Sequence, residues 1–205
     1  MQPIHYKLHP WHGISIGENS PEIVNAFIEI VPTDTIKYEI DKESGYLKID
    51  RPQKFSNIVP ALYGFVPQTY CGEGVAELAR KESGKTIDCG DGDPLDILVL
   101  CDRAIPHGDI LCEAIPIGGF RMIDKGEADD KIIAVLSGDL LYGKWKDIKD
   151  CPQTIIDRLL HYFLTYKNLP GDEKVSVDID EVYGAAIAHE VIKQSRADYL
   201  TLIAK

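Results

Sequence analysis

Apolar and polar positions first recur with a period of two, the spacing of half-buried strands. Such signals predict strands over 26–31, 35–40 and 46–50, with 41–45 (Asp-Lys-Glu-Ser-Gly) as the hairpin loop between the last two. The run 95–101 is almost wholly apolar and predicts a strand buried on both faces. Two further β runs follow, 110–122, bent at Pro116 and Gly118-Gly119, and 132–137. Between them lie less regular stretches. Residues 1–25 are punctuated by Pro3, Pro10, Gly13, Gly17 and Pro21, and 52–69 carries Pro and Gly. Residues 70–90 are polar and read as an excursion from the sheet, with a short helix near 75–81. The period then changes to about 3.6 residues. Ile155, Ile156, Leu159, Leu160, Phe163 and Leu164 make one stripe behind Pro152, predicting a helix over 152–167. A short strand at 174–179 and a second helix at 182–196 complete the pattern. No repeat or linker divides the chain, and strands precede helices. The expectation is a single α+β domain, 1–205, built on a small antiparallel sheet or barrel.

Composition narrows the function classes. The 205 residues are 44% hydrophobic and 27% charged, ordinary for a globular chain. Acidic residues outnumber basic ones, 33 to 22, for a net charge of −11. That balance opposes wrapping nucleic acid, which needs Lys and Arg along the phosphates, and equally opposes docking on an anionic membrane. The N-terminus has no basic region followed by an apolar one, and apolar runs fall far short of the ~18 residues of a membrane span. Five cysteines without a CxxC pair fit a reduced, cytoplasmic protein.

Two familiar strings carry no function. Gly13-Ile14-Ser15-Ile16-Gly17 matches the GxSxG elbow but lacks the strand before and the helix after that the motif requires. Gly84-Lys85-Thr86 ends like a phosphate-binding loop, yet Ala79 stands where the first glycine is needed. His5, His9 and His12 are spaced for a metal only on paper; a Pro-interrupted terminal segment favours a solvated surface. His107, His161 and His189 are isolated.

The informative cluster is Asp91-Gly92-Asp93-Pro94-Leu95-Asp96, a turn feeding the buried strand. Three carboxylates at that spacing repel one another and lose hydration at the mouth of a sheet. A hard divalent cation, Mg²⁺ or Mn²⁺, relieves the penalty with oxygen ligands. An EF-hand does not fit, because Pro94 sits where that loop demands glycine and no Glu closes it. A second acidic stretch, 124–131, reads alone as a solvated hairpin loop. Lys37 and Glu39 share one face of their predicted strand, which is unremarkable unless that face lines a cavity.

Taken together these residues resemble the soluble family I inorganic pyrophosphatases. The D-x-D-P-x-D string at 91–96 is similar to that family's signature. Ile28-Glu29-Ile30, the stretch 36–45, Asp50-Arg51 and Tyr63-Gly64 follow in the family's order. Asp124, Asp129 and Lys131 keep its D-x4-D-x-K spacing, and His161-Tyr162-Phe163 through Tyr166-Lys167 resembles its helix-end motif. The resemblance implies a five-stranded OB-like antiparallel β-barrel with flanking C-terminal helices. It also implies hydrolysis of pyrophosphate to two phosphates with Mg²⁺ (Mn²⁺ as a substitute), through a metal-activated water, in a cytoplasmic homo-oligomer.

Roles follow from the same resemblance. Asp91, Asp96 and Asp129 are similar to core metal ligands, and Asp124 and Glu29 to ligands of substrate-borne metals. Asp93 resembles the general base. Lys37, Arg51, Tyr63, Lys131, Tyr166 and Lys167 resemble the phosphate-holding groups, and Glu39 an orienting carboxylate. The chain departs from the pattern at Val59, where the family often has a tyrosine, in the insertion-like stretch 70–90, and near Val175, where an aromatic residue is missing. Two alternatives stand beside this reading: a phosphohydrolase of nucleotide or organic diphosphates, and a non-catalytic OB-type binding module.

Overall fold

Strands form where the sequence alternates or runs apolar, and they close on themselves. The computed structural model describes residues 7–167, 169 and 177–204. Its elements are β1 (Val24–Ile30), β2 (Ile36–Ile40), β3 (Leu47–Pro52), β4 (Leu62–Phe65), α1 (Glu73–Ser83), β5 (Cys89–Gly90), β6 (Asp96–Leu100), β7 (Ile110–Asp124), β8 (Glu127–Ala128), β9 (Lys131–Leu136), α2 (Gln153–Thr165), β10 (Val177–Gly184) and α3 (Ala185–Ile203). Pairing runs β1-β4-β6-β9-β7, and β7 returns to β1 through registers such as Val24↔Ala114 and Ile28↔Ile110. The result is the expected five-stranded ring. β10 extends it along the second half of β7, and β8 and β5 add a short edge. β2 and β3 form a separate two-stranded sheet.

The ring departs from the antiparallel expectation in one pair: β6 and β9 run parallel, Asp96↔Lys131 through Leu100↔Val135. The 110–122 run continues to Asp124, and a register shift between Pro116 and Gly118 marks the predicted bend. β4 lies inside 52–69, where no strand was expected. Its Gly64 explains why a glycine interrupts it, since a Cβ there would come 1.8 Å from the Phe27 carbonyl oxygen of β1. Residues 174–176 of the strand predicted at 174–179 lie outside the described residues; β10 covers the rest and runs on to Gly184. Alternation therefore persists past Val182, and α3 starts later and ends later than 182–196.

Both faces of the central strands are buried, which accounts for the unbroken apolar run of β6. Ile97 and Val99 pack with Val75 and Ala79 of α1 and with Val191 and Ile192 of α3. Leu98 and Leu100 face the other way, onto Ile156, Leu159 and Phe163 of α2. Among the described residues no helix is long and apolar enough to cross a membrane.

The excursion over 70–90 is a docked element. α1 has no N-cap side chain of its own at Gly72. Asp198 on α3 supplies one from outside, its Oδ2 accepting from Gly72 N (3.1 Å) and Val75 N (3.0 Å). This satisfies two of the amides that a helix start leaves without partners and places a negative charge at the positive end of the helix dipole. Asp198→Ala should therefore cost about 1 kcal/mol. The melting midpoint should fall by roughly 2–4 °C; an unchanged thermal melt would mean that packing alone holds α1.

Candidate active site

The open mouth of the ring, the β2–β3 hairpin and the end of α2 enclose a cavity of about 320 Å³. Every site residue expected from the sequence lines it. β1 brings Glu29, β2 brings Lys37 and Glu39, β3 brings Arg51 and β4 brings Tyr63. The turn before β6 carries Asp91 and Asp93, with Asp96 first in the strand, and β7 ends on Asp124. Asp129 and Lys131 stand at the start of β9, and Tyr166 and Lys167 follow α2. The parallel β6–β9 pair, in which Asp96 and Lys131 are register partners, brings two segments far apart in sequence to one rim.

Backbone bonds fix the acidic turn. Cys71 N donates to the Asp93 carbonyl (2.8 Å), Gly92 N to the Cys71 carbonyl (3.0 Å), and Leu95 N to Thr69 Oγ1 (2.9 Å). Gly92 takes the left-handed conformation (φ 75°) that a turn of this kind requires. A Cβ on Gly90 would sit 2.2 Å from the Cys71 carbonyl oxygen, so glycine is needed for the two segments to lie so close. The excursion thus grips the carboxylate-bearing turn.

Charges inside the cavity are paired, both within and across elements. Lys131, buried, bridges Asp96 and Asp129; Lys167 pairs with Asp124, Lys37 with Glu39 and with Asp50 (3.2 Å), and Lys42 with Asp93. The Tyr63 hydroxyl donates to Asp96 Oδ2 (2.6 Å). Glu29 Oε1 accepts from Ile40 N (2.6 Å), tying the hairpin to the ring. Burial, reinforced by the nearby Asp96, still pushes the Glu29 carboxyl up to about 8. Burial and then Asp129 push Asp91 up to about 9, and burial raises Asp129 as well. Burial pulls Lys131 down, but Asp129 and Asp96 more than offset it, so it stays cationic.

Eight carboxyl groups and five cationic side chains line the cavity, three more acids than bases. Two of these residues escaped sequence reasoning. Lys42 lies in the hairpin loop, and its reach over the cavity to Asp93 depends on how the loop folds back. Glu127 lies past the Lys125-Gly126 turn, whose positive φ values (54° and 90°) fold β8 back so that Glu127 pairs with Asp124. The turn residues were visible; the direction of the side chain was not. His9 and His12 stack at the N-terminal segment, His12 against Trp11 (4.3 Å) and Tyr199 (5.7 Å), and neither lines the cavity; His5 lies outside the described residues. Among the described residues no three His, Cys, Asp or Glu side chains already converge on a metal position. The lysines stand between the carboxylates instead.

Comparison with known proteins covers nearly all of this architecture. A family model described as inorganic pyrophosphatase matches residues 26–200. An inorganic pyrophosphatase from Chlamydia muridarum is 49% identical over 199 residues, 95% of this chain and 95% of that protein. A soluble inorganic pyrophosphatase from Oryza sativa subsp. indica is 36% identical over 195 residues, 95% of this chain and 81% of the relative. The crystal structure of inorganic pyrophosphatase from Thermus thermophilus superimposes with a TM-score of 0.76 at 28% identity, covering 95% of this chain and 99% of that one. The span matched by the family model contains every side chain of the cavity and all of the ring but the first two residues of β1. On that ground the chain belongs to the soluble family I inorganic pyrophosphatases.

Proposed function

We propose that this cavity hydrolyses inorganic pyrophosphate to two orthophosphates with divalent cations, Mg²⁺ first among them. One observation carries the reading: a cavity lined by three more acidic than basic groups also presents Lys37, Arg51, Lys131 and Lys167. Carboxylates alone would repel a polyanion, and cationic side chains alone would need no such surplus of acid. The donor set suits a hard cation, being carboxylate oxygen throughout. Asp124 Oδ1 is moreover buried without a hydrogen-bond donor among the described residues, the kind of atom a cation satisfies. Asp91, Asp96 and Asp129 would hold the core ions, Asp124 and Glu29 those that arrive with substrate. Bound there, divalent ions acidify water and neutralise phosphoryl oxygens.

The chain's own groups then divide the work. Asp93, half exposed to the cavity, takes the proton of the attacking water. Lys37 and Arg51 from the hairpin, with Lys167 and Tyr166 from the end of α2, hold phosphoryl oxygens by charge-assisted hydrogen bonds that strengthen as the bridging bond breaks. Lys131 keeps Asp96 and Asp129 from repelling one another. Glu39 orients Lys37, to which it is paired. The same reading includes a cytoplasmic homo-oligomer.

Phosphate release from pyrophosphate, measured with Mg²⁺ and after EDTA, tests the proposal. Rapid, EDTA-sensitive release is expected. Equal or faster cleavage of nucleoside diphosphates would move the substrate to organic diphosphates, and no release from any diphosphate would favour a binding module. Ca²⁺ should inhibit, because it accepts a looser oxygen shell than Mg²⁺ and sets the ligands less strictly. Activation by Ca²⁺ at the level of Mg²⁺ would count against a role for that geometry.

A further inference from the structure

Of the tyrosines that line the cavity, Tyr38 and Tyr162 have no part in the scheme above. Tyr162, on α2 one turn before Tyr166, is 8% exposed and lines the cavity. Its ring stacks on Tyr166 (centroids 5.2 Å apart, planes at 28°) and meets Phe163 edge-on (5.1 Å), so packing holds it on two sides. The surroundings of its hydroxyl are unusual. The Gln53 side chain lies against it, and the Arg51 guanidinium acts on it electrostatically. Both neighbours come from the chain at the end of β3. Arg51 Nη1 and Gln53 Nε2 are each buried without a hydrogen-bond acceptor among the described residues. An unsatisfied buried N–H is costly, and here one belongs to a cavity-lining side chain and the other lies behind the phenol.

From this juxtaposition we infer that Tyr162 is a substrate-binding residue: its hydroxyl and Arg51 Nη1, which both belong to cavity-lining side chains, form a donor pair for the oxygens of one phosphoryl group, with Gln53 behind the hydroxyl. Among the described residues no acceptor fills Arg51 Nη1, and a phosphoryl group offers several acceptor oxygens to convergent donors. The phenol stays protonated, and so a donor, because burial and then Tyr166 hold it up to about 12. Gln53 does not line the cavity itself, so its amide positions the hydroxyl from behind.

The inference rests on the pyrophosphatase reading for its substrate, and the test separates the two. Tyr162→Phe removes one oxygen and keeps the stacking, so its melting midpoint should match the wild type. KM for pyrophosphate should rise about tenfold, the size of a lost hydrogen bond to a charged group, with kcat changed by no more than roughly threefold. Affinity for inorganic phosphate, read by calorimetry in Mg²⁺ without turnover, should fall by a similar factor. Gln53→Leu should shift both quantities in the same direction by less. Wild-type KM and phosphate affinity in Tyr162→Phe would overturn the inference while leaving the function intact. A wild-type chain that releases no phosphate would overturn the function, and phosphate calorimetry on the two proteins would still decide the role of Tyr162. A chain that neither turns over pyrophosphate nor binds phosphate overturns both.

Discussion

Replacing Asp93 by asparagine should slow phosphate release from pyrophosphate by about 10²–10⁴-fold, the usual contribution of a positioned general base. Asn keeps the size of the side chain and its hydrogen-bonding reach but cannot take a proton. The structure separates Asp93 from its acidic neighbours. Asp96 and Asp129 are both held by buried Lys131, whereas the Asp93 side chain is 50% exposed and pairs with Lys42 in the hairpin loop. Its backbone is clamped at Cys71, so the substitution should not move the turn. Mg²⁺ affinity by calorimetry should accordingly stay within a few-fold of wild type while turnover collapses. Near wild-type turnover would remove Asp93 from the base role. A parallel collapse of Mg²⁺ affinity would make it a ligand.

The other large effect is on stability. In the metal-free chain Glu29 holds its proton up to about 8, against an ordinary 4.5, and Asp91 up to about 9, against 3.8. For a carboxyl raised on folding, the native state keeps a proton that the unfolded chain has already lost. Stability is therefore greatest below the unfolded values and declines as pH rises toward the folded ones, levelling off above them. Glu29 alone implies a loss on the order of 5 kcal/mol across that window. The midpoint of the metal-free protein should drop by roughly 10 °C or more between pH 5 and pH 9. Mg²⁺ competes with those protons, so its stabilisation should grow over the same interval. Thermal melts with and without Mg²⁺ across the range give the answer. A metal-free midpoint that rises from pH 5 to 9, or a Mg²⁺ shift indifferent to pH, would contradict the assignment of these buried carboxyls.

Much of this was legible in the linear sequence because the chemistry is local. The acidic turn at 91–96 and the like-facing Lys37 and Glu39 each sit within a few residues, where strand alternation assigns direction. The helix stripe of α2 was readable for the same reason. What escaped depends on contacts between distant segments. β4 is four residues with a glycine inside, and only the approach of β1 at Phe27 makes sense of it. The parallel pairing of β6 with β9 leaves no trace in alternation, yet it sets Lys131 against Asp96. α1 was visible as a short helix, but its cap comes from Asp198, more than a hundred residues on. Lys42 and Tyr162 escaped because a loop residue and a residue of an apolar helix stripe look alike whether they meet solvent, core or substrate. The β10–α3 boundary moved because Val182 and Tyr183 fit a strand as well as a helix until Gly184 ends the choice.

The separation of β2 and β3 from the ring reaches beyond geometry. A lone two-stranded ribbon is marginal by itself, and this one is tied down mainly by Ile40 in a small aromatic cluster and by the Glu29 carboxyl. Its amides should exchange with deuterium through partial opening, well before those of β7, which is paired to β1, β9, β8 and β10 at once. The acidic rim of the ring and the Lys37 and Arg51 of the hairpin thus belong to units of different cooperativity. Under the proposed function, partial opening of the hairpin would free orthophosphate from Lys37 and Arg51 while the acidic rim keeps its shape for the next turnover.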